Sequence, residues 1–369
     1  MRVVQISKYY YPVIGGVEGH LKLLSEEISK RVEVKVLVSN VKPETEIERS
    51  NNLEVIKIAS IGKLFSMPLS PTFPFWMSEI KADILHFHHP FPWGIVSYFL
   101  AEPEAKVVVT YHSDIVRQKI TGSLFTPILT RFLKRADCII ATSPNLIEGS
   151  PVLKNYKDKC RVIPLGIDAE KFKAKSDEDK ICSIRNKFRT KLVLFVGRLI
   201  YYKGLEYLIQ TIPEIDAHFI LIGDGPLEKD LRKKISDLKI EEKVTILKAM
   251  DESELISYYY ACDLFVLPSI AKSEAFGLVQ LEAMSCGKPV VSTNLPTGVP
   301  FVNLHKCTGL IVPPGDSRAL AEAINTLLEN ENLRRVYGEN ARLRVEEEFT
   351  KEKMINRTLE LYYEIKGLK

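Results

Sequence analysis

Short apolar runs rich in β-branched residues alternate along the chain with stretches whose apolar residues recur every three or four positions. The runs are typical of strands buried in a parallel sheet, and the spaced residues are typical of one face of a helix. Leu21, Leu24 and Ile28 share such a face after the first run. The alternation predicts doubly wound α/β sheets. The predicted strands are Val3–Ser7, Val34–Val38, Val55–Ala59, Ile84–His88, Val107–His112, Cys138–Ser143, Arg161–Leu165, Leu192–Gly197, Phe219–Gly223, Val244–Ala249, Leu264–Ser269, Pro289–Thr293 and Gly309–Val312.

The pattern weakens between Asp168 and Lys191, where the chain is rich in charge. We predict a hinge and linker there, with a domain boundary within residues 166–191 and one Rossmann-like domain on each side. Ligands of open parallel sheets bind at the carboxyl ends of the strands. Two such edges that face each other across a cleft are therefore expected to hold the functional site.

Composition fits this picture and excludes several classes of protein. The 369 residues suit two domains, and 46% hydrophobic with 27% charged residues excludes disorder. The formal charge of +4 is small, and no nucleic-acid motif is present. Six cysteines without a C-x-x-C pair indicate free thiols in a reducing compartment. With no cleavable signal and no apolar run near the ~20 residues of a membrane span, we expect a cytoplasmic protein.

The first candidate site is the glycine pair Gly15-Gly16, which follows the first strand and opens a helix. Such a loop brings backbone close to an anionic ligand at a helix N-terminus, although a simple strand-to-helix turn would look the same. It is not the dinucleotide fingerprint, because Ile14 stands where a glycine is required. The acid expected after the second strand is also missing, since Ser39 and Asn40 are found there.

Three further signals lie in the first half of the chain and the linker. His112 emerges at the end of an apolar run, where it could bind a sugar hydroxyl or phosphate or simply pack. His86 and His88 share a strand face and could share a metal, but no acid or cysteine lies close by in sequence, so we predict packing or a cleft wall. The D-x-D pattern at 177–179 lies in the charged stretch and is predicted to be a solvated run.

Two cations follow the first strand of the second half. Arg198 and Lys203 lie five residues apart and straddle a turn that begins on Gly197 and ends on Gly204. A pair of cations beside helix-terminal amides can stabilise a diphosphate leaving group. Two solvated surface residues remain the alternative.

The most informative signal is a pair of glutamates around a predicted helix. The helix is expected to begin between Phe276 and Leu278 and to end at Gly287, with a proline beyond. Glu274 then precedes the helix, and Glu282 lies about two turns inside it among apolar residues. A buried carboxylate needs a partner, such as a pair of ribose hydroxyls. An amphipathic helix with surface acids is the alternative.

A basic stretch between Val116 and Ala136 bears on partners. It holds five basic residues and no acid, and its apolar residues fall on one helical face. We predict that this face packs into the domain core, and contact with an anionic bilayer is the alternative. The residues concerned are Arg117, Lys119, Arg131, Lys134 and Arg135, with Ile128, Leu129, Phe132 and Leu133.

Together these motifs closely resemble the family-4 retaining glycosyltransferases, also called group 1 glycosyltransferases, of the GT-B fold. The resemblance runs nearly the whole chain and includes Gly223-Asp224-Gly225-Pro226 and the segment from Ala261 to Ser269. Its most specific part is the glutamate pair with seven residues between, followed by Gly287-Lys288-Pro289. It implies an acceptor-binding domain at 1–170, a donor-binding domain at 171–349, and a C-terminal helix at about 350–369 that packs back on the first.

The resemblance also implies roles for the matching residues. Arg198 and Lys203 would hold the donor diphosphate, and Glu282 the ribose. His112 would face the sugar, and Gly15 and Gly16 would approach the phosphate. Gly225 would line the nucleotide site. The donor sugar would be positioned by Glu274 with the amides of Phe276, Gly277 and Leu278. No metal or other cofactor is expected, since the two cations would replace a metal.

The resemblance predicts the chemical class of the donor and of the acceptor. The stretch Asn294–Asn303 is similar to branches that transfer mannose during surface-polysaccharide assembly. GDP-mannose is therefore favoured over UDP-glucose, with a saccharide or lipid-linked acceptor and possible peripheral contact with the inner membrane face. A nucleotide-sugar epimerase, a phosphorylase and a non-catalytic nucleotide-sugar sensor are the alternatives. The broken glycine fingerprint disfavours a dehydrogenase.

Overall fold

A computed structural model describes residues 1–64, 67–114, 119–173 and 177–368 and divides the chain into two units. The first unit comprises Met1–Gly166 and Lys351–Lys369, and the second comprises Ile167–Thr350. Each unit carries its own large sheet, mostly parallel in the first unit and wholly parallel in the second, with helices from the same unit. The expected class, two doubly wound α/β domains, is confirmed.

The strands follow the predicted apolar runs closely. Those of the first unit are β1 (Arg2–Ser7), β2 (Glu33–Ser39), β3 (Glu46–Ser50), β4 (Leu53–Ile58), β5 (Lys63–Leu64), β6 (Met67–Pro68), β7 (Ile84–His89), β8 (Lys106–Tyr111), β9 (Cys138–Ala141) and β10 (Cys160–Val162). Those of the second unit are β11 (Leu192–Val196), β12 (His218–Ile222), β13 (Val244–Leu247), β14 (Leu264–Leu267), β15 (Val290–Thr293) and β16 (Gly309–Val312).

Helices occupy the connections between the strands. In chain order they are α1 (Gly16–Ile28), α2 (Phe73–Ser78), α3 (Pro92–Ala101), α4 (Lys119–Arg135), α5 (Pro144–Gly149), α6 (Ala169–Lys173), α7 (Glu178–Phe188), α8 (Leu205–Thr211), α9 (Glu228–Asp237), α10 (Glu252–Ala261), α11 (Leu278–Ser285), α12 (Val299–Val302), α13 (Ser317–Glu329), α14 (Glu331–Glu348) and α15 (Lys351–Lys366).

Both large sheets are wound in the same way. The first has the order β10-β9-β8-β7-β1-β2-β4-β3 and the second β13-β12-β11-β14-β15-β16. All neighbours are parallel except β3, which runs antiparallel to β4 at the edge. In each sheet the strand order reverses beside the first strand, so the switch point lies between β1 and β7 in one unit and between β11 and β14 in the other. Ligands of such sheets bind at that point.

The C-terminal helix α15 belongs to the first unit. Its Met354, Leu359 and Tyr362 are buried together with Leu21 and Leu24 of α1 in one apolar cluster. Burial of this face explains why the last residues fold onto the first unit, since each large apolar side chain removed from water contributes about 1.5–3 kcal/mol.

Two segments differ from the sequence-based expectation. The charged stretch predicted as a linker contains helix α7, which is capped by Asp177 and packs against α10. Only Ile184 of that helix is buried, so its apolar periodicity was too weak to recognise. The predicted strand Cys138–Ser143 ends at Ala141, because Ser143 caps α5 by accepting a hydrogen bond from the Leu146 amide.

Candidate active site

The turn after β11 places one of the two predicted cations at the surface and the other inside. Arg198 is exposed, whereas Lys203 is buried at the end of a short 3₁₀ turn. Gly204 ends that turn with a left-handed φ of 66°. A Cβ at this position would lie 2.1 Å from the carbonyl oxygen of Pro268. Only glycine lets the turn lie this close to the segment after β14.

Lys203 is paired with one of the predicted glutamates. Its Nζ lies 2.6 Å from Oε2 of Glu274, and each side chain is only 9% exposed. The hydroxyl of Ser269 donates to the same oxygen at 2.8 Å. A lysine has three ammonium hydrogens, and Glu274 takes one of them. The pair therefore holds the ammonium in place while leaving it able to bind a further acceptor.

Arg198 and Lys203 act on a common neighbour, Tyr202. Burial raises the pKa of the Tyr202 phenol above its usual value, and the positive charges of both residues lower it. The Lys203 ammonium lies 5.7 Å from the centre of the Tyr202 ring. The two cations predicted from their spacing are thus close enough to influence one phenol.

Helix α11 begins where the sequence predicted. Gly277 is its N-cap with a φ of 74°, and a Cβ there would lie 2.6 Å from Leu267 of β14. Phe276 is buried just before it, and Leu278 is the first helical residue. The first amides of a helix have no partner within it and carry partial positive charge. Glu274 and this helix start therefore lie together at the carboxyl end of β14.

Glu282 is held from a different helix. The hydroxyl of Tyr259 on α10 donates to Oε2 of Glu282 at 2.7 Å. Burial raises the pKa of the Glu282 carboxyl, the Tyr259 hydrogen bond opposes that rise, and the charge of Lys203 also lowers it. The second Glu282 oxygen can accept hydrogen bonds from a ligand.

Packing requires a glycine at position 225, independently of the role predicted for Gly225 at the nucleotide site. A Cβ on Gly225 would lie 2.2 Å from the carbonyl oxygen of Leu199, and one on Gly223 would lie 2.1 Å from that of Gly197. The loop after β12 therefore lies directly against the turn that carries Arg198. Its predicted contact with the nucleotide stays a prediction.

In the first unit, the glycine pair lies beside an acid, Glu18, to which the sequence motifs assign no role. Gly15 and Gly16 are exposed and lead into α1, and Gly15 has extended backbone. The Glu18 carboxylate reaches back to within 2.1 Å of where a Gly15 Cβ would be. Burial raises the pKa of Glu18, and the charge of Lys8 opposes this. The signal that could have found Glu18 is an acid in the first turn after paired glycines.

His112 lies in a cluster of buried histidines at the carboxyl ends of β7 and β8. Its Nε2 is 3.1 Å from Nδ1 of His88, and its ring centre is 5.3 Å from that of His20 on α1. Burial holds the pKa of His112 and of His88 well below the usual range, and that of His20 at about 4. These imidazoles are therefore neutral near pH 7.

The pair of histidines considered for a metal is divided by the structure. His86 hydrogen-bonds to Tyr362 and Thr110 instead of sharing a site with His88. Among the described residues, the nitrogens that do come together are those of His20, His88 and His112, all within 4.8 Å of one another. A metal there would have to displace the hydrogen bond between His88 and His112. The expectation that no metal is needed stays a prediction.

Comparison with known proteins identifies the family. Residues 177–344 match the model described as glycosyl transferases group 1, and residues 14–171 match that of glycosyltransferase family 4. O-antigen chain mannosyltransferase C of Escherichia coli is 36% identical over 366 residues, which cover 98% of each chain. The chain belongs to glycosyltransferase family 4. D-rhamnosyltransferase WbpZ of Pseudomonas aeruginosa is 33% identical over 95% of this glycosyltransferase and 92% of its own length.

Solved structures show that the fold of this glycosyltransferase is GT-B. Sucrose-phosphate synthase from Thermosynechococcus elongatus superposes with a TM-score of 0.83 at 23% identity, covering all of both chains. Anabaena HepE in complex with UDP-glucose gives a TM-score of 0.79 at 21% identity, covering 99% of this chain and all of that one. At these identities the likeness extends to the fold alone.

The basic stretch of this glycosyltransferase uses its apolar face for packing. Leu129, Phe132 and Leu133 of α4 are buried in the core of the first unit. Ile128, predicted on the same face, is instead 37% exposed. Arg131 lies over the ring of Phe99, with 5.1 Å between its guanidinium carbon and the ring centre. Arg117 and the side chain of Lys119 lie outside the described residues, and membrane contact stays a prediction. No helix in the described part of the chain is long and apolar enough to cross a membrane.

Proposed function

We propose that this glycosyltransferase moves mannose from GDP-mannose to a saccharide or lipid-linked acceptor with retention of anomeric configuration and without a metal. The buried ion pair between Lys203 and Glu274 at the switch point of the second sheet carries the proposal. It fixes a cation beside a helix start, and Arg198 supplies a second cation near the same phenol. Such a site can stabilise the charge of a leaving nucleoside diphosphate.

The remaining residues of the second unit would then orient the donor. Ribose hydroxyls would donate to Glu282, because it is an acceptor already held by Tyr259. The donor sugar would bind Glu274 and the amides at the start of α11. As the bond between the anomeric carbon and the diphosphate oxygen breaks, the electron pair leaves with that oxygen, and Lys203 and Arg198 stabilise the growing negative charge. The acceptor oxygen would bond to the anomeric carbon on the same face, and the acceptor hydroxyl proton would pass to the departing diphosphate oxygen. In the first unit, Gly15 and Gly16 would approach a phosphate and His112 would accept a hydrogen bond from a sugar hydroxyl.

The choice of mannose is supported by the relatives. One is named a mannosyltransferase and another a D-rhamnosyltransferase, and both match nearly the whole chain. D-rhamnose is D-mannose without its 6-hydroxyl, so both names specify the same ring configuration. This favours a manno-configured donor over UDP-glucose.

A donor panel tests the proposal. In thermal unfolding with GDP-, UDP-, ADP- and dTDP-sugars and NAD at equal excess, we expect stabilisation by GDP-mannose. The stabilisation is about 2.7 kcal/mol at a ligand concentration 100 times its Kd. With saccharide acceptors, GDP-mannose is expected to give a transfer product that keeps the donor anomer, in EDTA as well as in Mg²⁺. A shift only with NAD would contradict the donor site, and loss of transfer in EDTA would contradict the role of the two cations.

The same assays separate the alternative functions. A product formed from UDP-glucose would correct the donor but keep the reaction. An isomerised nucleotide sugar without transfer would indicate an epimerase, and a need for inorganic phosphate would indicate a phosphorylase. Binding without any turnover over a broad acceptor panel would indicate a sensor.

Replacing Glu282 with glutamine is expected to weaken nucleotide binding and to stabilise the free protein. Loss of hydrogen bonds to a charged acceptor costs about 1.5–3 kcal/mol, or roughly 10- to 100-fold in Kd. Because folding raises the pKa of Glu282, its ionised form costs stability near pH 7. Glu282→Gln should therefore unfold at higher temperature than the wild type near pH 7, and the difference should vanish as pH falls towards 4.5.

Titration with GDP and melting curves between pH 4.5 and 8 measure both effects. Glu329→Gln, an exposed acid at the end of α13, is the control and should change neither. Unchanged GDP affinity in Glu282→Gln would remove Glu282 from the nucleotide site.

A further inference from the structure

We propose that Tyr362, Gln5 and His88 form a buried hydrogen-bond chain that positions His112 and sets its tautomer, so that its Nδ1 is the acceptor for a sugar hydroxyl. The chain extends from the C-terminal helix α15 through the middle of the first sheet. Tyr362, Gln5 and His88 are positioning residues, because they act on a substrate only through His112. The hydroxyl-binding part of this inference rests on the proposed function, whereas the tautomer itself does not.

The sheet register brings these side chains to one face. Gln5 of β1 pairs with His86 of β7, and His88 pairs with Thr110 of β8. Alternate residues of a strand share a face, and residues paired across parallel strands point to the same side. His112 follows two residues after Thr110. Gln5, His86 and His88 are each at most 1% exposed.

At the Tyr362 end of the chain, the amide nitrogen of Gln5 faces the phenol. Nε2 of Gln5 donates to the Tyr362 hydroxyl oxygen at 3.1 Å. The hydroxyl proton of Tyr362 is then directed at Nδ1 of His86. Nε2 of His86 in turn donates to the Thr110 hydroxyl oxygen at 2.6 Å. Each of these buried donors has an acceptor, as buried polar groups require.

The other end of Gln5 sets the tautomer of His88. The carbonyl oxygen Oε1 can only accept, and it lies 2.7 Å from Nε2 of His88, which therefore carries the proton. Burial and the neighbouring imidazoles keep the pKa of His88 low and the ring neutral. A neutral imidazole has one proton, so Nδ1 of His88 is an acceptor.

The tautomer of His112 follows from that of His88. Its Nε2 lies 3.1 Å from Nδ1 of His88, so Nε2 of His112 donates. Burial keeps His112 neutral as well, because it holds the pKa of the ring well below its usual range. The proton on Nε2 then leaves Nδ1 as a hydrogen-bond acceptor. His112 is therefore built to bind a hydroxyl and not to act as an acid.

The tautomer can be measured without any substrate. In protein labelled with ¹⁵N-histidine, two-bond ¹⁵N–¹H spectra distinguish Nε2–H from Nδ1–H in each of the seven histidines, and His112→Asn assigns the ring of interest. We expect His112 as the Nε2–H form in the wild type. Tyr362→Phe removes the acceptor that orients Gln5, so the His112 signals should shift or become a mixture. Tyr363→Phe, the partly exposed neighbour on the same helix, should leave them unchanged.

Kinetics test the role in transfer. Tyr362→Phe is expected to lower kcat on the order of tenfold, with little change in donor KM. This is less than the roughly 10²- to 10³-fold typical of removing a group that contacts the transition state, because Tyr362 acts only through His112. Gln5→Met, which keeps the side-chain volume, should have the same effect on both the spectra and kcat if Tyr362→Phe folds poorly.

The outcomes separate the two proposals. An Nδ1–H tautomer of His112 in the wild type, or identical spectra for wild type, Tyr362→Phe and Gln5→Met, would overturn the chain. The expected spectra with an unchanged kcat in both variants would keep the chain and overturn its role at His112. If no sugar transfer is found with any donor, the proposed function fails while the tautomer result still stands.

Discussion

Replacing Lys203 with alanine is expected to lower the rate of sugar transfer by about 100-fold or more. The ammonium is fixed by Glu274 at 2.6 Å in a buried environment, so under the proposed function it would meet developing charge on a leaving diphosphate without reorganisation. Removal of one such donor typically costs 10²- to 10³-fold in kcat. Initial rates with saturating GDP-mannose measure the effect. Lys229→Ala, an exposed lysine on α9 of the same unit, is the matched control and should react normally.

Lys203→Ala also leaves the buried Glu274 carboxylate without its partner. The resulting loss of stability must be distinguished from the direct effect on the rate of transfer. Breaking a buried ion pair from one side typically costs 3–5 kcal/mol of stability. The double variant Lys203→Met with Glu274→Gln removes both charges and should melt close to the wild type while the rate stays low. Recovery of the rate in the double variant would show that Lys203→Ala fails through folding, and a near-normal rate in Lys203→Ala would remove Lys203 from the site.

Most of the fold could be predicted from the sequence because its strands are buried on both faces. Runs such as Leu192–Val196 are apolar throughout, and a parallel sheet covered by helices requires this. The strand β3 was missed, since its Glu-Ile-Glu-Arg-Ser sequence lies exposed at the sheet edge and carries no core pattern. Helix α7 was missed for a related reason, because Ile184 is its only buried residue.

The candidate site could be predicted only where its residues lie close together in sequence. Lys203, Glu274 and Glu282 lie in short motifs next to strand ends, and the spacing within each motif can be read directly from the sequence. Their partners come from elsewhere, as Tyr259 does from the preceding helix, and nothing near Tyr259 marks it as special.

The histidine chain has even less local signal. Gln5 and Tyr362 are 357 residues apart in sequence and meet only because α15 packs on the first sheet. Register between three strands then selects which histidine contacts which. Hydrophobic periodicity gives the faces of the strands but not this register.

Replacing Gly204 with alanine is expected to destabilise the second unit and to lower activity at least tenfold. The left-handed backbone alone costs a non-glycine residue about 1–2 kcal/mol. In addition, the new Cβ would lie 2.1 Å from the Pro268 carbonyl oxygen, which is backbone and cannot move aside cheaply. The turn must shift, although the Ile270 amide ties it to the segment after β14 by donating to the Tyr202 carbonyl at 2.8 Å. The shift displaces Lys203 from Glu274.

Gly287→Ala separates the cost of the left-handed backbone from the cost of the close contact with Pro268. Gly287 has nearly the same left-handed φ, 68° against 66°, but the nearest atom to its Cβ position is 3.9 Å away. Gly287→Ala should lose only the stability that the left-handed backbone costs an alanine. Each kcal/mol lost lowers Tm by about 2–4 °C for a unit of this size, and the activity should be unchanged. Thermal unfolding and initial rates of both variants decide the point. Equal melting temperatures with equal activity would show that the close approach of the turn to Pro268 does not hold Lys203 in place. A larger loss of Tm and of activity in Gly204→Ala than in Gly287→Ala would mean that the packing of the turn backbone on the Pro268 backbone positions the Lys203 ammonium.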